Sequence, residues 1–250
     1  MSKPKYIQIE SKNALLELLR EGRHFERIYL ANNAYKDEKT KEIVELAGKN
    51  RIEVLKVSRR ILNRRLRTSS SESVIGYMLS ENNWKLDELL NKLGEERKQP
   101  FFLILDNLKY TQNIAAIMRS AFGAGVNGII VNPQEKSLVS NETLRISMGA
   151  AERIPLIEMS LFEAIKVLKK EDMKIYGIHM EGDNYFDKDL KGPIALVLGA
   201  EDVGISNGIL EKLDGTISIP MREGIGSLNV SASAAILVYE KLRQEVTSSK

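Results

Sequence analysis

Three stretches in the second half of this 250-residue chain place polar residues at the ends of apolar segments, where a folded protein can present them to a ligand. The first runs from Leu105 to Gly125. An apolar segment ends at Asp106, a polar loop follows, and Asn113 stands where a helical period begins. Ile114, Ile117, Met118, Ala121 and Phe122 form one apolar face, and Arg119 falls off it. Asn113 suits a helix N-cap, and Arg119 taken alone is a solvated arginine. The second stretch, Ile194 to Ser206, is an apolar strand that passes straight into Gly199, Ala200 and Glu201. In an open parallel sheet, ligands bind beyond the carboxyl ends of the strands, and a residue without a side chain lets a ligand reach the backbone. The same glycine equally serves a β-turn. The third stretch, Ile217 to Leu242, ends a strand at Ile219-Pro220 and leads through a glycine-bearing loop to Ser227-Leu228-Asn229. A helix then opens on Ser231, Ala232, Ser233, Ala234 and Ala235, small enough for close packing. Ser227 or Asn229 could cap it.

Other chemistries are excluded by residue type. The chain has no cysteine, so disulfides, thiolate metal sites and a cysteine nucleophile are absent, which fits a reducing cytoplasm. His24 and His179 are the two histidines, and neither sits in a zinc-binding or Ser–His–Asp pattern; no metal is expected. Gly123 to Gly128 (GAGVNG) matches a dinucleotide fingerprint, but that motif follows a strand and opens a helix. Here it follows a helix and opens the strand GIIV, so it is a helix end and a turn. A nicotinamide oxidoreductase is demoted accordingly.

The elements that position these residues alternate. Pro100 opens a unit whose strands fall at 101–106, 128–131, 174–178, 194–198 and 216–219, with helices at 113–124, 161–170 and about 229–245. Strands alternating with helices predict an α/β fold with a largely parallel sheet covered on both faces. The chain before it is also α/β, with helices at 13–19 and 39–47 and strands at 27–31, 52–57 and 73–78. Residues 79–98 are polar, with a short helical pattern at Leu86, Leu89, Leu90 and Leu93, and read as a linker. The expected domains are therefore 1–78, a linker at 79–98, and 99–250.

Charge is divided between them. Residues 1–77 hold 17 Lys/Arg against 10 Asp/Glu, and residues 99–250 hold 16 against 19. A basic front and a mildly acidic back suggest that the front meets a polyanion. Arg59, Arg60, Arg64, Arg65 and Arg67 are the candidate phosphate contacts; on a helix, Arg60, Arg64 and Arg67 would share a face. The alternative is a solvated basic face. Tyr77 and Trp84 could stack on a base, though packing is the commoner use. The first residues, MSKPKYIQIESKN, lack the apolar run of a secretory signal, and no apolar run reaches a membrane span; a cytoplasmic protein without membrane contact is expected.

Together the three stretches resemble the signature motifs of the SpoU (TrmH-like) RNA ribose 2′-O-methyltransferases of the SPOUT superfamily. The motifs are Asn113-Ile-Ala-Ala-Ile-Met-Arg119, Leu198-Gly-Ala-Glu201, and Ile219-Pro-Met221 with Ser227-Leu-Asn-Val-Ser231, in the family's order. Thr111-Gln112 stands where Asp-Pro is usual, and Asp202 where glycine is common. The N-terminal part resembles the ribosomal-protein-like RNA-binding domain that many members carry.

The resemblance implies a trefoil knot in the C-terminal domain, S-adenosylmethionine as methyl donor, and a homodimer with the active site at the subunit interface. It further implies that Leu198, Gly199, Ile219, Met221 and Leu228 hold the donor, with the backbones of Gly199, Ile219 and Leu228 on the adenosine. Asn113, Arg119, Glu201, Ser227 and Asn229 are the implied catalytic set. The implied substrate is structured RNA, ribosomal in preference to transfer RNA, with guanosine as target. Arginine stays protonated well above neutral pH, so Arg119 is expected to bind the adjacent phosphate and stabilise the developing alkoxide. The competing readings are a transfer-RNA methyltransferase and a catalytically silent RNA-binding or ribosome-assembly protein on the same fold.

Overall fold

Apolar runs without alternation, such as FFLILD and IALVLG, are satisfied in the middle of a parallel sheet that is covered on both faces. The computed structural model, which describes residues 6–32, 34, 37–67, 72–79, 82, 84–134, 138–223 and 226–248, places them there. The serine run after Arg67 lies outside the described residues, as do Gly224 and Ile225 of the glycine-bearing loop.

The chain forms two units, Met1–Glu81 with Ser137–Arg153, and Asn82–Lys136 with Ile154–Lys250. The first contains β1 (Tyr6–Ile9), α1 (Lys12–Arg20), β2 (Phe25–Ala31), α2 (Glu38–Lys49), β3 (Glu53–Val57), α3 (Arg59–Arg65) and β4 (Val74–Leu79). Its sheet runs β1-β4-β2-β3, with β2 parallel to β3 and antiparallel to β4. The second unit begins with α4 (Leu86–Glu95), β5 (Phe101–Asp106), α5 (Thr111–Gly123) and β6 (Gly128–Val131). The chain then returns to the first unit for α6 (Asn141–Ile146) and α7 (Ala150–Arg153). Neither helix was expected from the sequence. They are tied to that unit by Glu152, fully buried against Arg23 at 2.8 Å, by an Arg153–Glu21 ion pair, and by Asn141 donating to Glu10 at 3.2 Å.

The second unit resumes with β7 (Leu156–Glu158), α8 (Leu161–Lys170), β8 (Lys174–Asn184), a 3₁₀ turn (Tyr185–Asp187), β9 (Ile194–Gly199), α9 (Asn207–Leu210), β10 (Gly215–Ser218) and α10 (Val230–Ser248). Its six strands run β10-β8-β9-β5-β6-β7, all parallel. Along β5 successive side chains point to opposite faces, and Phe102 and Ile104 meet the apolar faces of α4 and α8. Residues 79–98, expected as a linker, thus hold a core helix: Leu86, Leu89 and Leu93 of α4 are buried in this cluster. Asn82 braces β7 by donating to Ile154 O at 2.9 Å and accepting from Leu156 N at 2.8 Å. Helix α5 packs on α10, close enough that a Cβ on Gly123 would lie 2.9 Å from the Tyr239 hydroxyl.

The glycine-rich stretch after α5 behaves as a helix end. Gly125 is left-handed (φ +79°), Val126 N donates back to Ala121 O, and β6 begins at Gly128. Two element boundaries differ from expectation in ways that matter for function. Helix α5 begins at Thr111 rather than Asn113, and β8 continues to Asn184 rather than ending at 178.

Candidate active site

The site is assembled at the carboxyl edge of the second unit's sheet. Strand β5 ends at Asp106, paired in register with Gly199 at the end of β9. The Asp106 carboxylate is buried and accepts from Ser206 N at 2.8 Å and from Asn107 Nδ2 at 2.9 Å. It therefore ties down the far end of the loop that leaves β9. That loop closes on itself. Ala200 and Gly204 exchange backbone hydrogen bonds at 3.0 and 2.8 Å, and Gly204 is left-handed (φ +70°). A Cβ on Gly199 would fall 2.1 Å from both Gly204 C and Ile205 N. Glycine at 199 is thus required by the chain's own turn, because backbone fills the space its side chain would take.

The closed loop presents Glu201, and Asn113 Nδ2 donates to Glu201 Oε1 at 2.7 Å. Asn113 Oδ1 accepts from Asn229 Nδ2 at 3.1 Å. Asn229 Oδ1 in turn accepts from Ser231 N at 2.9 Å and Ser231 Oγ at 2.6 Å, which caps α10. So Asn229 is an N-cap, as one reading of the sequence had it, and Asn113 is not. Tyr110 holds the capping position of α5 without a side-chain bond, and Asn113, in the first turn, spends its amide on Glu201 and Asn229. A carboxylate beside the first turn of a helix is favoured by the helix dipole. Next to this network Lys109 pairs with Asp202 at 3.0 Å; their hydrogen bond raises the lysine pKa and lowers that of the aspartate.

The network borders a cleft of about 330 Å³. Leu198, Gly199, Ile219, Met221 and Leu228 all line it, with Glu201, Ser227 and Asn229. Arg119 does not. It is exposed on α5 and makes no hydrogen bond or ion pair with any described residue. Two features, one beneath the Glu201 loop and one on the cleft wall, have no signal in the sequence. Asp106 read only as a strand end, although a carboxylate there must find donors if buried. Ile178, His179 and Met180 of β8 also line the cleft, although the sequence around His179 shows only that it lies in no zinc or triad pattern.

The basic cluster in the first unit divides. Arg60 and Arg64 are exposed on α3, whereas Arg59 is half-buried and donates to Glu72 O at 2.9 Å. The Arg65 guanidinium stacks 4.6 Å over the Tyr29 ring. Arg67 lies beyond α3, which ends at Arg65, so the expected common helix face for Arg60, Arg64 and Arg67 does not form. Tyr77 packs edge-on against Tyr29 at 5.8 Å and Trp84 lies against the second unit's core with Lys92 above its ring, the packing use in both cases.

Residues 100–239 match the SpoU rRNA Methylase family, and residues 9–77 match the RNA 2′-O ribose methyltransferase substrate-binding family. The chain belongs to the SpoU rRNA methylase family. It is an S-adenosylmethionine-dependent RNA ribose 2′-O-methyltransferase. A 23S rRNA (guanosine-2′-O-)-methyltransferase, RlmB of Xylella fastidiosa, is 32% identical over 93% of this chain and 94% of its own. A Mycolicibacterium vanbaalenii protein called an uncharacterized tRNA/rRNA methyltransferase is 31% identical over 93% of this chain and 75% of its own. Among solved structures, the SpoU methyltransferase AviRb from Streptomyces viridochromogenes, in complex with AdoMet, shares the fold with a TM-score of 0.80 at 21% identity, covering 97% of this chain and 91% of that one.

The cleft of this SpoU chain fits such a donor. Its volume lies within the range of small-ligand sites, roughly 300–1,000 Å³. Apolar walls from Leu198, Ile219 and Leu228 suit a purine, the glycine backbones at 199, 204 and 226 supply polar groups, and the Asn113–Glu201–Asn229 network stands at its border. Among the described residues no His/Cys/Asp/Glu group could hold a metal, and no helix is long and apolar enough to cross a membrane.

Proposed function

We propose that this enzyme methylates a guanosine ribose in ribosomal RNA, working as a cytoplasmic homodimer. Residues 1–78 bind the RNA and residues 99–250, knotted as in the family, carry the reaction. The Asn113–Glu201–Asn229 network carries this reading, because it joins all three motifs at the edge of one cleft. The relatives named as guanosine 2′-O-methyltransferases support the choice of base and RNA.

In this reading Leu198, Gly199, Ile219, Met221 and Leu228 hold the donor. S-adenosylmethionine, when bound, supplies a methyl group on a sulfonium sulfur. The chain's task is to bring the 2′-oxygen into line and remove its proton. Glu201, fixed by Asn113, orients the ribose; Ser227 and Asn229 hold the edge of the cleft. Such positioning is worth up to roughly 7–11 kcal/mol of the barrier. Arg119 binds the phosphate next to the reacting ribose and stabilises the developing alkoxide, with the proton passing to phosphate or water. Its exposure, and the absence of a partner among the described residues, suit that task.

Separate pools of unmodified ribosomal and transfer RNA, incubated with labelled donor, test the substrate. Label in ribosomal RNA, recovered as 2′-O-methylguanosine by nucleoside mass spectrometry, is expected. Label confined to transfer RNA would overturn the substrate, and RNA binding without transfer to either pool would favour the silent protein.

A further inference from the structure

The strand β8 is interrupted where it meets the cleft. It pairs in parallel with β10 at Tyr176–Gly215 and Gly177–Thr216, and the next pair is Asp183–Ile217. Residues 178–182 of β8 therefore have no partner on β10, whose chain continues without a gap. A bulge of this kind bends the strand and re-aims a side chain, and bulges concentrate beside active sites. The strand can rejoin β10 only because residue 182 is glycine: a Cβ there would lie 2.5 Å from Ile217 N.

The bulge brings Ile178, His179 and Met180 to the cleft wall. Of the described residues lining the cleft, His179 is the one basic side chain and Glu201 the one carboxylate. The imidazole is oriented from within the bulge, since His179 Nδ1 accepts from Glu181 N at 3.2 Å. An Nδ1 that accepts leaves the ring proton on Nε2, which is then a donor. The donor molecule has one anionic group, the carboxylate of its amino-acid portion, and among the described residues lining the cleft His179 is the basic side chain that offers it an N–H.

We infer that His179 is a donor-binding residue whose Nε2–H holds the carboxylate of S-adenosylmethionine. This rests on the cleft being the donor site, and the test separates the two. Two probes are titrated calorimetrically: S-adenosylhomocysteine, which has the amino-acid carboxylate, and 5′-methylthioadenosine, which lacks it. They are applied to the unmodified protein and to His179→Ala, His179→Gln and Ile219→Arg. Ile219→Arg, which puts a long charged side chain on the cleft wall, is expected to abolish binding of both. His179→Ala is expected to weaken S-adenosylhomocysteine about tenfold, the scale of one hydrogen bond to a charged group, and to leave methylthioadenosine unchanged. His179→Gln, which keeps an N–H donor, is expected to recover most of the loss. Equal loss of both probes in His179→Ala, or loss of neither, would overturn the role of His179 while leaving the cleft intact. Unchanged binding of both probes to Ile219→Arg would sink the cleft and the inference together.

Discussion

At the scale of single residues, Asn113 does the most joining. Its amide links the Glu201 loop to the cap of α10, because a side-chain amide can donate and accept at once. Replacing it with alanine removes both bonds and leaves Glu201 to solvent. We expect Asn113→Ala to lower kcat about tenfold to a hundredfold through poorer positioning, with donor affinity within about threefold of the parent. Single-turnover methyl transfer alongside calorimetric titration of S-adenosylhomocysteine separates the two; equal loss of both would place Asn113 in donor binding instead. The residue types at this site were legible in the sequence, but their partners were not. Asn113 looked like a helix cap because helical periodicity begins there, and periodicity does not mark the turn that precedes an apolar face. Gly199 reads as an opening for ligand; it lines the cleft, and its missing side chain also makes room for Gly204 and Ile205, which no local pattern shows.

At the scale of elements, α3 separates residues that had looked equivalent. Arg59 and Arg65 are occupied by Glu72 O and the Tyr29 ring, and Arg60 and Arg64 are exposed. Removing one cation that neutralises a phosphate lowers the salt slope of binding by about 0.7–0.9. Arg60→Ala with Arg64→Ala is therefore expected to reduce the slope of log K against log salt by about 1.4–1.8. An unchanged slope would mean that this face does not meet RNA. Helix α2 offers a prediction about pH. Its N-cap Asp37 is held at a pKa of about 2, chiefly by the Lys12 hydrogen bond at 2.9 Å and also by Thr40, whose N and Oγ1 donate to it. A folded-state pKa below the unfolded one adds stability that is complete above the ordinary carboxylate range and is lost as pH falls through about 2. Asp37→Ala is expected to cost about 1 kcal/mol at neutral pH and to flatten the acid limb of thermal stability between roughly pH 4 and 2. A mutant that follows the parent's acid limb would contradict this.

At the scale of the whole molecule, the division into a basic α/β front and a parallel-sheet back was readable from charge and from the spacing of apolar runs. What was not readable was the traffic of the chain between them. Residues 86–95 look polar because half of a surface helix is polar, yet Leu86, Leu89 and Leu93 complete the core of the second unit. The stretch 138–153 follows a strand of the second unit and folds with the first, where its charges find Arg23 and Glu21. Such long-range pairings leave no local period to detect. The three motifs behave differently: each sits at the end of a strand or the start of a helix, so sequence order alone brought their residues to one edge of one sheet. Methyl transfer to a ribose oxygen at this edge has a signature in the chemistry of RNA itself. A 2′-O-methyl group blocks alkaline cleavage of the adjoining phosphodiester, whereas a methyl on a base does not. Ribosomal RNA labelled by the unmodified protein and by Arg119→Ala would be hydrolysed in alkali and the fragments separated. The expected result is label in alkali-resistant dinucleotides from the parent and at least about a hundredfold less from Arg119→Ala. Label in mononucleotides, or equal label from both proteins, would contradict it.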